Sequence, residues 1–195
     1  MGLILCYGDS NTWGFDSRSY FGERYPETVR WTGLLRQAGA PVRNCGMNGR
    51  EIPHTPFTTG EVERLCTAAC AEDAPVRLWV MLGTNDLLAC TTASAEDVTA
   101  RMEKFLSALL AAPVFASGAA RLRLISPPPM QPGSWTDDRA VSQSLRLGAL
   151  YGQLAARLGI DFTDGSAADV PLLYDGVHFS EQGHRSFAAL MQSAL

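Results

Sequence analysis

The sequence predicts an α/β domain built on a parallel sheet with helices on both of its faces. Three observations carry this. Apolar runs of strand length alternate with longer segments of helical period, the signature of strands joined by crossover helices. The chain has 195 residues, 46% of them hydrophobic, and a chain of that size buries about 70% of its unfolded surface, so a core and an interior cleft both fit into one domain spanning 1–195. Polar, glycine-bearing segments follow most of the apolar runs, where a parallel sheet places its ligand-binding loops.

The elements follow in order. Strands are predicted at Leu3–Tyr7, Pro41–Cys45, Val76–Leu82 and Leu122–Ser126, with a weaker one at Ile160–Thr163, giving five in all. Between them, Arg30–Gln37 reads as a short helix closed by Gly39, and Gly60–Ala71 as a second. Ser94 with Asp97 resembles a capping box and opens a long amphipathic helix through Leu110. Ala140–Leu158 gives a fourth helix, ended by Gly159, and Ser180 caps a last one carrying Phe187, Leu190 and Met191 on one face. The stretch Ser126-Pro127-Pro128-Pro129-Met130-Gln131-Pro132-Gly133 cannot continue a strand, because proline lacks the donor N–H, and is expected as a stiff loop.

Composition excludes several classes of function. A net charge of −4, with the arginines scattered along the chain, leaves no basic surplus for neutralising phosphates, so no nucleic-acid partner is expected. The five cysteines, Cys6, Cys45, Cys66, Cys70 and Cys90, are odd in number and lack C-x2-C pairs, and they read as reduced, mostly buried thiols. No metal and no cofactor is expected. The run Leu3–Tyr7 is too short for a signal-peptide core, and no apolar stretch reaches 18 residues; the reading is cytoplasmic, with no membrane partner.

The loops after the strands carry the chemistry. They hold Gly8-Asp9-Ser10-Asn11, Gly46-Met47-Asn48-Gly49-Arg50, Gly83-Thr84-Asn85-Asp86 and Asp175-Gly176-Val177-His178. A serine hydroxyl needs a base in hydrogen-bond reach that is itself oriented by a third group. Ser10, His178 and Asp175 fit those roles, since Asp-x-x-His lets one loop present both the imidazole and the carboxylate that fixes its tautomer. Three donors are available for an oxyanion: the backbone N–H of Ser10, that of Gly49, and the Asn85 carboxamide.

Gly-Asp-Ser after the first strand, Gly-Thr-Asn-Asp after the third and Asp-x-x-His before the last helix together resemble the SGNH hydrolases, or GDSL esterases. Arg30-Trp31-Thr32-Gly33, Met81–Asp86 and Ser126–Pro129 look like that family's arylesterase and acyltransferase branch. The resemblance implies a flavodoxin-like three-layer α/β/α sandwich on a five-stranded parallel sheet, no cofactor, and ester hydrolysis through an acyl-enzyme. It makes Ser10 the nucleophile, His178 the base and Asp175 its partner, with Gly49 and Asn85 as oxyanion donors. Gly46 is then expected to supply the turn, with a positive φ. The branch also suggests a homo-oligomer.

Other residues are weighed against plainer roles. Asp9 and Asp86 are expected to cap or brace loops, and His184, about 600° around the helix from His178, to face solvent or a cap. Trp13, Phe15, Ile52, Phe57 and Trp135 are candidates for an acyl or aryl pocket, and Asn11, Trp13 and Ile52 are taken as substrate contacts; Trp31, Phe105 and Phe187 belong to the core. Arg50 is expected to pair with Glu51 or Asp9. The leading reading is a serine esterase for small acyl esters, with aryl esters and acyl transfer to alcohols or peroxide left open. Carbohydrate deacetylation is the alternative, and a non-catalytic binding module the reading from a different class.

Overall fold

The structure, a computed structural model, describes residues 2–19, 21–72 and 75–195. Its five strands are β1 (Ile4–Gly8), β2 (Val42–Gly46), β3 (Val76–Met81), β4 (Ala120–Ile125) and β5 (Asp161–Thr163). They lie side by side as β2-β1-β3-β4-β5, every pair parallel. This is the flavodoxin-like order, with the switch point between β1 and β3. Gly8 pairs with both Gly46 and Met81, so the ends of β1, β2 and β3 are level and their following loops emerge together.

Successive strand residues point to opposite faces, and two apolar clusters result. On one face Leu5, Leu78, Val80, Leu122 and Leu124 meet helices α3 (Pro56–Glu72), α5 (Ala95–Ala111) and α7 (Asp138–Leu158). On the other, Ile4, Cys6, Trp79, Met81 and Ile125 meet α2 (Trp31–Gln37) and α8 (Glu181–Gln192). The expected core aromatics Trp31, Phe105 and Phe187 are all buried.

Local chemistry sets the helix ends. Ser94 and Asp97 form the expected reciprocal capping box at α5, and Gly159 closes α7 with φ +66°. Helix α7 opens two residues earlier than expected because Asp137 caps it, accepting from the Ala140 N–H at 2.6 Å. Helix α3 opens a full turn before Gly60. There the Thr55 and Thr58 hydroxyls each accept the other residue's N–H at 3.2 Å, and proline is tolerated in a first turn. Three short helices, α1 (Ser10–Trp13), α4 (Thr84–Ala89) and α6 (Pro113–Ala116), are absent from the helices read from apolar period; they are too brief for such a period to show.

Two expectations need correction here. His184 neither faces solvent nor caps a helix: it is wholly buried, its Nδ1 accepting the Trp31 N–H at 3.4 Å and its ring set between Tyr25 and Phe179. Burial lowers its imidazole to about 3. All five cysteines are free, but Cys90 is exposed while Cys6 and Cys66 are buried. Among the described residues, no helix is long and apolar enough to cross a membrane.

The proline-rich segment forms no regular element and runs over the loop that ends at His178. Gln131 N–H donates to Gly176 O at 2.9 Å and Trp135 N–H to Asp175 O at 3.1 Å. The two backbones are so close that a Cβ on Gly133 would stand 2.3 Å from Asp175 C.

Candidate active site

Strand β1 ends at Gly8, and Asp9 turns the chain into α1 by accepting the Asn11 N–H at 2.9 Å. Ser10 is therefore the first residue of a helix, its N–H ahead of the helix's own hydrogen bonds. Its hydroxyl lies 3.0 Å from His178 Nε2. On the far side of the ring, Nδ1 is 2.8 Å from Asp175 Oδ2. The carboxylate can only accept, so Nδ1 carries the proton and Nε2 is left as an acceptor toward Ser10.

Asp175 is fully buried, and its other oxygen accepts two backbone N–H groups, from Val177 at 2.8 Å and His178 at 2.9 Å. Burial alone would push this carboxyl up. The hydrogen bonds from the His178 ring, the His178 N–H and the Val177 N–H outweigh it and hold the group well below the usual carboxylate range. The residue after the serine secures the histidine loop: Asn11 Nδ2 donates to Val177 O at 3.0 Å and Asn11 Oδ1 accepts from Phe179 N at 2.9 Å. Two rings flank the imidazole, Phe15 at 4.7 Å between centroids and Trp135 edge-on at 5.2 Å.

A cavity of about 230 Å³ opens beside Ser10 and His178, walled by Phe15, Leu88, Trp135 and Val177, with Asn48, Gly49 and Asn85 at its rim. Asn85 Nδ2 donates to Arg50 O at 3.0 Å, which uses one of its two hydrogens and leaves the other for the cavity. Gly49 adopts φ +70°, and a Cβ on it would meet no atom within 4 Å, while Gly46 spends its N–H on Asn44 Oδ1 at 3.0 Å. Thus the positive φ belongs to Gly49 and not to Gly46. Glycine is needed at 46 for a different reason: a Cβ there would stand 2.2 Å from Trp13 N, where β2 passes α1.

The neighbouring charged residues brace this arrangement. Arg50 pairs with neither Glu51 nor Asp9; its Nη1 donates to Gly8 O at 2.8 Å and to Cys45 O, tying the ends of β1 and β2, and its guanidinium lies 4.0 Å over the Tyr7 ring. Asp86 accepts the Ile52 N–H at 3.1 Å and Arg101 Nη1 at 2.8 Å. Asp9 is buried, which raises its carboxyl to about 6 against the pull of the Asn11 N–H and of charge at His178 and Arg50.

The three expected substrate contacts lie elsewhere. Asn11 has its amide committed at both ends, Ile52 is wholly buried in the core, and Trp13 stacks beside Phe15 and under Arg24, off the cavity wall. Phe57 is on the surface. Two wall residues, Leu88 and Val177, are absent from the sequence-based pocket, although Val177 sits inside the Asp-x-x-His motif and Leu88 three residues after Asn85, on the same side of α4. Among the described residues, no three His, Cys, Asp or Glu side chains gather as metal ligands.

The family model described as the GDSL-like lipase/acylhydrolase family matches residues 6–186. No curated protein sequence matches the chain. Among solved structures, the aryl esterase of M. smegmatis is 26% identical with a TM-score of 0.80, covering 100% of both chains. A carbohydrate acetylesterase family member from Sinorhizobium meliloti is 25% identical with a TM-score of 0.82, covering 100% of this chain and 97% of that one.

Proposed function

Because this chain belongs to the GDSL-like lipase/acylhydrolase family, we propose that its serine ester hydrolase chemistry runs through Ser10, His178 and Asp175 on esters of small acyl groups. The observation that carries this reading is the unbroken hydrogen-bonded line from Ser10 Oγ through the imidazole to Asp175, opening on the cavity of about 230 Å³. Ser10 Oγ attacks the ester carbonyl carbon while Nε2 takes the hydroxyl proton. The carbonyl oxygen becomes an oxyanion, met by the N–H groups of Ser10 and Gly49 and the Asn85 amide. Collapse breaks the bond to the leaving oxygen, which receives the proton from Nε2, and water then repeats the sequence to free the acid. Asp175 stays ionised throughout and stabilises the imidazolium.

The walls select the substrate. Phe15, Leu88, Trp135 and Val177 give an apolar enclosure suited to a short acyl chain, and the aromatic rings of Phe15 and Trp135 suit contact with an aryl leaving group. The same enclosure supports acyl transfer when an alcohol or peroxide attacks the acyl-enzyme in place of water. Carbohydrate acetyl esters are the second reading, favoured by the likeness to the Sinorhizobium meliloti structure. Hydrolysis of p-nitrophenyl acetate by the native chain and by Ser10→Ala tests the assignment, and equal rates would sink it. Acetyl release from acetylated xylooligosaccharides, measured against the aryl ester, separates the two substrate classes.

A further inference from the structure

The arginines are scattered through the sequence, yet the fold gathers Arg24, Arg30, Arg36 and Arg43 around one cavity of about 370 Å³, with Glu27 the single carboxylate and Thr32 and Asn44 the neutral polar residues of its lining. It shares no lining residue with the cavity at Ser10. Two of the four guanidiniums are matched by carboxylates: Arg36 pairs with Glu27, and Arg43 with Glu72 at 3.0 Å. The other two are not. Arg24 donates Nε to the Trp13 carbonyl at 2.6 Å and lies 5.0 Å over the Trp13 ring, with no carboxylate in ion-pair range among the described residues. Arg30 has no ion pair among them either, and its Nε is buried without any acceptor.

This is an unfavourable arrangement for an empty surface. Neighbouring guanidiniums repel, and one anion held between them relieves that repulsion. A protein of net charge −4 has no general need to concentrate positive charge here. The excess of two unmatched guanidiniums sets the ligand's charge, and their planar forks set its shape. A carboxylate fills one fork with two oxygens, whereas a phosphate dianion offers three oxygens and can accept from both at once. The cavity is also larger than a lone phosphate requires, lying within the roughly 300–1,000 Å³ typical of small-molecule sites.

We propose that this arginine-lined cavity binds a small organic phosphate, with the phosphoryl group held between Arg24 and Arg30 and the rest of the molecule lying toward Thr32 and Asn44. The Asn44 amide already donates to Thr32 Oγ1 at 2.8 Å, so the polar floor is fixed before the ligand arrives. Arg24 also links the cavity to the end of α1, the helix that begins at Ser10, and its seat on Trp13 makes a change in tryptophan emission the expected optical signal of occupancy.

Titration calorimetry on the full chain, at constant ionic strength, tests this with glucose 6-phosphate, inorganic phosphate, glucose and acetate. Saturable one-to-one binding is expected for both phosphates, none for glucose, and weaker binding for acetate. Arg24→Met and Arg30→Met should each weaken phosphate binding at least about tenfold. Arg185→Gln, the same loss of charge at an exposed position of α8, should leave it intact, as should Ser10→Ala. Circular dichroism of each variant checks folding; if Arg30→Met does not fold, Arg24→Met decides alone. No saturable heat up to about 10 mM of either phosphate, an equal loss in Arg185→Gln, a loss in Ser10→Ala, or acetate binding as tightly as phosphate would each overturn the proposal.

Discussion

Replacing Asp9 with Asn is expected to stabilise the protein at neutral and alkaline pH while slowing ester hydrolysis. Asp9 is buried and accepts a single N–H, from Asn11, and burial raises its carboxyl from 3.8 to about 6. With the folded value above the unfolded one, its favourable contribution is complete below about pH 4 and is lost as pH rises through about 6. Above that, the folded chain carries a buried, ionised carboxylate at a cost of about 2–3 kcal/mol. Asn keeps an acceptor for the Asn11 N–H and, like a protonated Asp, is uncharged, differing by one extra N–H donor, so the two chains should be close in stability at pH 4. In a domain of this size each kcal/mol moves Tm by about 2–4 °C, so the Asn variant should melt roughly 5–10 °C above the native chain at pH 8. Activity should move the other way, because the imidazolium formed on His178 loses an anion that favours it; a several-fold fall in kcat on p-nitrophenyl acetate is expected, of the order of 1 kcal/mol. Thermal melts of both chains from pH 4 to 8 decide the matter. A Tm gap that stays constant with pH, or an Asn variant less stable at pH 8, would show that the reasoning about Asp9 is wrong.

Three further outcomes follow from the geometry. Asp175→Asn places an amide where the His178 N–H groups need acceptors, favouring the tautomer with Nε2 protonated; kcat should drop by about 10⁴, and a loss under tenfold in kcat would remove Asp175 from the mechanism. Asn85→Ala should lower kcat on p-nitrophenyl acetate by about 10²–10³ with little change in Tm, and a change confined to KM would argue against an oxyanion role. Gly46→Ala and Gly49→Ala should behave differently. The first forces β2 away from α1 and should cost more than about 3 kcal/mol of stability in denaturant melts, whereas the second meets open space and costs only about 1–2 kcal/mol for its positive φ. Equal losses would contradict the close approach at Gly46.

The sheet is legible in the sequence because each strand is an apolar run bounded by polar, glycine-bearing loops, and the loop motifs then single out Ser10, His178 and Asp175 without any geometry. What escapes the sequence are relations between segments. Asn11 stands beside Ser10 in the chain, which invites a substrate role, but its partners Val177 and Phe179 lie more than 160 residues away. A helical wheel sets His184 against His178, while the informative comparison is with Phe187, Ala188 and Met191, whose spacing places it on the buried face of α8. Gly46 and Gly49 are indistinguishable as residues; only the passage of α1 across β2 assigns one to close contact and the other to a left-handed turn. Short helices such as α4 carry too few residues for any period, so nothing in the sequence assigns Leu88 to the cavity.

Ser10 and His178 are separated by 168 positions, and strands β2, β3, β4 and β5 all lie between them in the chain. Bringing the two side chains to 3.0 Å requires the whole sheet to be assembled and the proline-rich segment to be laid across the Asp175 loop. Such distant contacts form late, since the entropy of closing long loops must be met first. Ester turnover is therefore a gauge of completed folding: on dilution from denaturant, helical signal should return ahead of chromogenic activity, and any partly assembled chain, however rich in secondary structure, should be silent in the assay.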